Sequence, residues 1–355
     1  MLMWPVKLME KLKNNHQFVI GELKRYNQIT LSTLHNYLPK REPRRFLYDL
    51  VSDYPSRPGK GFRPGLCIST CKAFGGSEET ALNSAVAIEL FHNAFLIHDD
   101  VEDESEFRRG GETLNKKYGH GIAINVGDAM NVLSLRPLMS NLTKLGPVLT
   151  WSVFQEIEHM VTQCVEGQAM ELGWVKENFC DLEDVDYLKM ILKKTCWYTT
   201  IHPCRIGCLI ATQGDFNLDL FNRFGYYMGS SFQIQDDLLN LLGEESNYGK
   251  EIGGDIWEGK RTLMLIYLFR SCNEDEHVRL KKFLETRRAD RIYSDVKWVY
   301  DLMYKYNCFD YAIKSAKQLA GAALKEFFSV YGPLPDSKEK EFIYKIILYM
   351  IERDL

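Results

Sequence analysis

The segment FHNAFLIHDDVED, residues 91–103, sets three aspartates, Asp99, Asp100 and Asp103, at the end of a run whose apolar residues recur at helical spacing. On an α-helix Asp99 and Asp103 stack on one face with Asp100 beside them. Like charges this close destabilise a helix unless a cation neutralises them. Oxygen ligands that leave room for water and phosphate oxygens suit Mg²⁺. A second segment, FQIQDDLLN, residues 232–240, repeats the layout with Asp236 and Asp237 and ends in a carboxamide, Asn240. A single acidic cluster is most often a wet helix face. Two of them, each inside an otherwise apolar helix, predict carboxylates that converge on a shared cation site.

Outward from these segments, helical spacing continues through Ala85, Ile88 and Leu90 and again through Leu238, Leu241, Met264 and Leu268, while strand-type alternation is nearly absent. The strongest breakers, such as Gly110/Gly111, Gly253/Gly254 and Gly332 to Pro335, fall between such stretches and read as helix connections. No linker divides the chain. The expectation is one large all-α domain around a central cavity, covering residues 46–355, with residues 1–45 an N-terminal helical extension carrying no interpretable motif.

Composition narrows the function. Of 355 residues 45% are hydrophobic and 26% charged, ordinary for a globular protein, and the net charge of -4 argues against non-specific nucleic-acid binding. No apolar run reaches the roughly 18 residues of a membrane span, and the N-terminus does not read as a secretory signal, so a cytoplasmic location is expected. Nine cysteines form no C-x-x-C pair, and Cys67/Cys71 and Cys204/Cys208 are spaced as helix faces, which predicts reduced, mostly buried thiols.

An acidic chain must meet anionic ligands with local cations. Gly59-Lys60-Gly61-Phe62-Arg63-Pro64 presents two cations on a turn before a helix, Arg108 and Arg109 follow the first acidic segment, and Lys194-Thr195, Lys250 and Lys260 add three more cations. Cations at both ends of a cavity, carboxylates for a metal and walls of Phe, Leu, Ile and Met suit substrates with a diphosphate head and an apolar remainder.

With these residues in place, the chain resembles the trans-isoprenyl (polyprenyl) diphosphate synthase family from about residue 50 to the C-terminus, so that residues 46–355 would be the synthase domain. The resemblance rests on Gly59/Lys60/Arg63/Pro64, Asp99/Asp100/Asp103 with Arg108/Arg109/Gly110, Gly127/Asp128, Gly167/Gln168, Lys194/Thr195, Phe232 to Asp237, Gly249/Lys250, Asp255 and Gly259/Lys260/Thr262. It implies that Lys60, Arg63, His92 and Arg109 hold the diphosphate of isopentenyl diphosphate, and that Arg108, Lys194, Lys250 and Lys260 face an allylic diphosphate. It implies three Mg²⁺ ions on Asp99, Asp103 and Asp236, supported by Asp100, Asp237 and Asn240, with Gln233 and Thr195 near a developing carbocation. A homodimer is a further expectation from the family.

Two positions depart from the family pattern: Asn240 replaces the last aspartate of the second motif, and Glu171 stands where aspartate is frequent. Phe95, one helical turn before Asp99, is expected to limit product length, with the small Ala94 leaving more room than a second aromatic would. Geranylgeranyl diphosphate (C20) is the expected product and farnesyl diphosphate (C15) the second choice. A class I terpene cyclase is the nearest rival, because Asp236, Asn240 and Glu244 approximate its metal triad. A non-catalytic partner subunit is a third reading, disfavoured by the intact first motif.

Overall fold

Apolar residues at helical spacing, interrupted by glycine and proline, give a chain of helices. A computed structural model describes residues 6–243 and 253–352. Along the chain run α1 (Val6–Tyr37), α2 (Phe62–Ala73), α3 (Glu78–Glu102), α4 (His120–Leu133), α5 (Leu135–Lys176, kinked at Gly146-Pro147), α6 (Asp184–Ile191), α7 (His202–Thr212) and α8 (Leu220–Leu242). They are followed by α9 (Gly254–Glu258), α10 (Leu263–Ser271), α11 (Glu274–Glu285), α12 (Tyr293–Lys305), α13 (Cys308–Val330) and α14 (Lys338–Glu352). Among the described residues the only sheet is a two-stranded hairpin, β1 (Phe107–Arg108) with β2 (Gly111–Glu112), paired antiparallel.

Two large apolar cores and two minor clusters hold the helices. The larger joins Leu66 and Ile68 of α2, Ile88 of α3, Ile157 of α5, Ile206 of α7, Phe224 of α8 and Phe327 of α13. The smaller lies beside the second acidic segment, where Leu238 and Leu241 of α8 meet Met264 and Leu268 of α10 and Val299 of α12. The centre is α3, apolar and long enough to pass for a membrane span, yet 78% of its most apolar window is inside the protein. It is a core helix, and the side chains it buries hold the acidic end in place.

The expected helices are present, with two local departures. Residues Leu192–Ile201 between α6 and α7 are π-helical rather than α-helical. Arg108 and Arg109 sit on a β-hairpin where only a loop was expected. All nine cysteines are free.

Helix α1 shares the main core: Val19, Leu23 and Tyr26 are buried in it, Arg25 pairs with Glu78 of α3 at 2.6 Å, and Asn27 Nδ2 donates to the Gly59 carbonyl at 3.0 Å. We infer that α1 and the helices it packs against form one folding unit. Leu23→Ala should then lower stability in urea unfolding by about 2–5 kcal/mol, the cost of a buried leucine truncation. An unchanged midpoint would detach α1 from the core.

Candidate active site

The last turn of α3 carries Asp99 and Asp100, and Asp103 caps it. The negative end of the helix dipole makes this an unfavourable place for three carboxylates. Their surroundings answer that cost residue by residue. Asp100 is fully buried; Tyr54 Oη donates to it at 2.5 Å and Arg108 Nε at 2.8 Å. The same guanidinium reaches Asp99 Oδ2 at 3.0 Å. Arg108 is aimed back at the motif by the hairpin, whose turn residues Arg109 (φ 51°) and Gly110 (φ 76°) both have positive φ, the conformation of a tight turn that matches strand twist. The site residue Arg109 thus occupies a backbone region sparsely populated by non-glycine residues.

The second motif has the same division of labour. Asp236 and Asp237 both line the cavity; Asp236 is half-buried, and Asp237 is buried and accepts from Tyr187 Oη at 2.7 Å and Gln233 Nε2 at 2.8 Å. Thr195 Oγ1 donates to Gln233 Oε1 at 2.9 Å, which fixes the amide's orientation. Burial pushes the Asp237 carboxyl above its ordinary range, against these hydrogen bonds. Each motif therefore has one half-buried aspartate and a buried neighbour anchored by a tyrosine.

Lys194, Thr195 and Tyr198 all line the cavity from the π-helical segment, whose wider turn changes which residues share a face. Helix α5 lies against it at Gly167, where a Cβ would stand 2.2 Å from the Lys194 backbone nitrogen. Glycine is required there for close approach. Lys194 Nζ lies 3.2 Å from Asp99 Oδ1 and also pairs with Glu171 of α5. Lys260 Nζ meets Asp103 Oδ2 at 2.5 Å and Glu258 at 2.9 Å. Burial alone would depress both lysines, but the carboxylates outweigh it and hold them charged, with pKa values above the ordinary range. Burial in turn pushes the Asp103 carboxyl up, opposed by Lys260.

Across the cavity a second basic group forms around His92. Its Nε2 lies 3.2 Å from Arg63 Nη1 and 3.1 Å from Arg109 Nη2. Guanidinium groups only donate, so Nε2 accepts from both and the proton resides on Nδ1. Burial first, then the two arginines, push the imidazole pKa well below its ordinary value. Arg63 also donates to Tyr198 Oη at 2.7 Å and Thr199 Oγ1 at 2.9 Å. Neutral His92 is a hub that keeps two cations side by side.

Asp99, Arg108, Glu171, Lys194, Asp236, Asp237 and Lys260 on one side and Arg63, His92 and Arg109 on the other line one cavity of about 400 Å³ together with Phe95, Leu96, Val161 and Asp255. Asp99, Asp103 and Glu171 present carboxylate oxygens within 4.8 Å of one another, a donor set suited to a hard divalent cation. Of the expected residues, Lys60 is exposed on its turn, and Lys250 lies outside the described residues, as does Glu244. Asn240 is buried, its side-chain oxygen accepting the Asp255 N–H at 3.0 Å. Phe95 packs edge-on against Tyr198 with centroids 5.8 Å apart. Ala94 is buried in the cluster with Val126 and Met130 of α4, so its small size serves helix packing. Glu171, Glu258, Tyr54 and Tyr187 were not selected from sequence as site residues.

The polyprenyl synthetase family model matches residues 44–303. The chain belongs to the polyprenyl synthetase family. Its members' sequences and structures extend the match: geranylgeranyl diphosphate synthase of Sulfolobus acidocaldarius is 32% identical over 294 residues, 82% of this chain and 86% of that protein. Geranylgeranyl pyrophosphate synthase of Geoglobus acetivorans is 29% identical, covering 90% of this chain and 95% of its own. The crystal structure of geranylgeranyl pyrophosphate synthetase from Pyrococcus horikoshii superimposes with a TM-score of 0.83 at 29% identity, covering 96% of this chain and 99% of that one. This polyprenyl synthetase is a trans-prenyltransferase with an all-α fold.

Gly167→Ala should move the π-helical segment and its lysine. The expected result is a loss of about 1–3 kcal/mol of stability from overpacking, together with at least about a tenfold fall in turnover. Wild-type turnover and melting temperature in this variant would refute the close-approach argument.

Proposed function

We propose that this polyprenyl synthetase condenses an allylic diphosphate with isopentenyl diphosphate, head to tail and in trans, to give geranylgeranyl diphosphate. The observation that carries the reading is one cavity with two separate cationic groups, Lys194/Lys260 among the acidic motifs and Arg63/Arg109 around His92. An enzyme that only ionises a prenyl diphosphate needs the first group. Joining two diphosphates needs both.

The donor set of Asp99, Asp103 and Glu171, with Asp236 on the second motif, fits Mg²⁺, and we assign three ions to this wall. Bound there, Mg²⁺ would supply Lewis-acid neutralisation of the allylic diphosphate. Lys194 and Lys260 stand ready-charged among the same carboxylates, where negative charge grows on the leaving diphosphate as its C1–O bond breaks. Arg63 and Arg109 grip the second diphosphate and hold its double bond toward C1, so that the C–C bond forms within one bound complex. Thr195 and Gln233 offer oxygen dipoles beside the allylic cation. The departing diphosphate takes the last proton. Leu96, Val161 and Val165 line the apolar part and keep water from the cation.

Phe95, wedged between Phe91 and Tyr198, is assigned as the stop for the growing tail. Purified enzyme with Mg²⁺, isopentenyl diphosphate and each allylic starter should yield mainly C20 product by chromatography, and Phe95→Ala should shift it to longer chains. Hydrocarbon formed from geranylgeranyl diphosphate without isopentenyl diphosphate would overturn the synthase reading; unchanged product length in Phe95→Ala would remove Phe95 as the stop.

The homodimer expected of the family is supported by a run of exposed apolar side chains on α4 and α5, Val132, Met139, Leu142, Val148 and Trp151. A second copy of the chain is assigned to that face. Sedimentation should give a dimer that Met139→Glu with Trp151→Glu reduces to monomer. A monomeric wild type would contradict it.

A further inference from the structure

The short helix α9 and the turn Gly259-Lys260 lie between the two acidic motifs and are bonded to both. On the second-motif side the contact is Asn240. Its backbone carbonyl accepts the Gly253 N–H at 2.8 Å, and its side-chain Oδ1 accepts the Asp255 N–H at 3.0 Å. Asn240 is 2% exposed, and a Cβ on Gly254 would stand 3.4 Å from its Nδ2, so the amide lies close along the start of the segment. On the first-motif side the contact is Glu258. Its Oε1 accepts from Ser105 Oγ, two residues past Asp103, at 3.1 Å and from Arg288 Nη1 at 3.1 Å. Its Oε2 lies 2.9 Å from Lys260 Nζ, which continues to Asp103. The Lys260 N–H donates to the Asp255 carbonyl at 2.9 Å and closes the turn.

Two cavity residues, Asp255 and Lys260, are carried by this segment. We propose that Asn240 and Glu258 are positioning residues that pin residues 253–260 as a strut between the two motifs, setting where Asp255 and Lys260 stand against Asp99, Asp103 and Asp236. This gives the departure at position 240 a physical reason. The N–H groups at the start of a helix require an acceptor, and a side-chain oxygen of either an amide or a carboxylate provides one. The amide does so without adding another negative charge three and four residues from Asp237 and Asp236. Asn240 acts on the reaction through Asp255 and Lys260, with its oxygen committed to the backbone.

The direct test is hydrogen exchange on metal-free, substrate-free protein, followed on the peptide spanning residues 253–260. Asn240→Ala should exchange there about tenfold faster, the effect of losing one cap, and Asn240→Asp, which keeps the acceptor, should restore protection. Ser105→Ala, a small change on the opposite side, should loosen the same peptide and guards against a misfolded Asn240→Ala. In steady state, Asn240→Ala should raise KM for the allylic diphosphate while leaving KM for isopentenyl diphosphate unchanged. The KM comparison rests on the substrates proposed above, whereas the exchange comparison does not, so the two readings fail separately. Unaltered exchange in both Asn240→Ala and Ser105→Ala would overturn the strut, as would unaltered exchange with loss of Mn²⁺ binding in Asn240→Ala, which would make Asn240 a metal ligand.

Discussion

Carboxylates gathered near the negative ends of two helices, inside one cavity, are the constraint on which the rest of this molecule depends. Two like charges 4 Å apart repel by about 4 kcal/mol at an effective dielectric constant of 20, so several together cannot persist without partners. The chain supplies them from distant positions. Arg108 returns on a hairpin to hold Asp99 and Asp100, Lys194 arrives from the π-helical segment to reach Asp99 and Glu171, and Lys260 reaches Asp103 from beyond α9. The same concentration of negative charge that costs stability makes a donor set suited to a hard divalent cation.

The anchoring tyrosines refine this balance. Tyr54 and Tyr187 each satisfy the second aspartate of a motif with a neutral hydroxyl, which fixes that carboxylate's orientation at its helix end. The half-buried aspartates Asp99 and Asp236 line the cavity. The opposite wall uses the complementary device, a neutral histidine accepting from two arginines, which lets like cations stand together for an anionic ligand. Both walls rest on large cores, and rigid support of this kind is what fixed orientation of two substrates requires.

Much of this was legible in the chain. Helical spacing and the absence of strand alternation gave the all-α class, and one Asp-Asp-Asp set and one Asp-Asp-Asn set inside apolar helices pointed to the cavity. The i, i+1 spacing also fixes that adjacent aspartates diverge by about 100° around the helix, so that one is half-buried and the other buried; the tyrosines that donate to the buried members lie 46 and 50 residues away in sequence and carry no local signal. The π-helical segment was not readable, because its composition is that of an ordinary helix and its close approach to Gly167 joins residues distant in sequence. Glu171 was noticed only as a substitution, since its role depends on its approach to Asp99 and Asp103 in space. Asn240 was placed with the metal ligands by its position in the motif; its partner, the Asp255 N–H, comes from a turn of the backbone that residue types alone do not specify.

The central claim is that the two acidic motifs act as one site for an allylic diphosphate. Calorimetric titration of a non-ionisable allylic diphosphate analogue, with and without Mg²⁺, tests it most directly in wild type, Asp99→Asn and Asp236→Asn. The account predicts Mg²⁺-dependent binding that each substitution alone weakens by at least about tenfold, about 1.4 kcal/mol. Binding that is independent of Mg²⁺, or that survives Asp236→Asn at full strength, would contradict it.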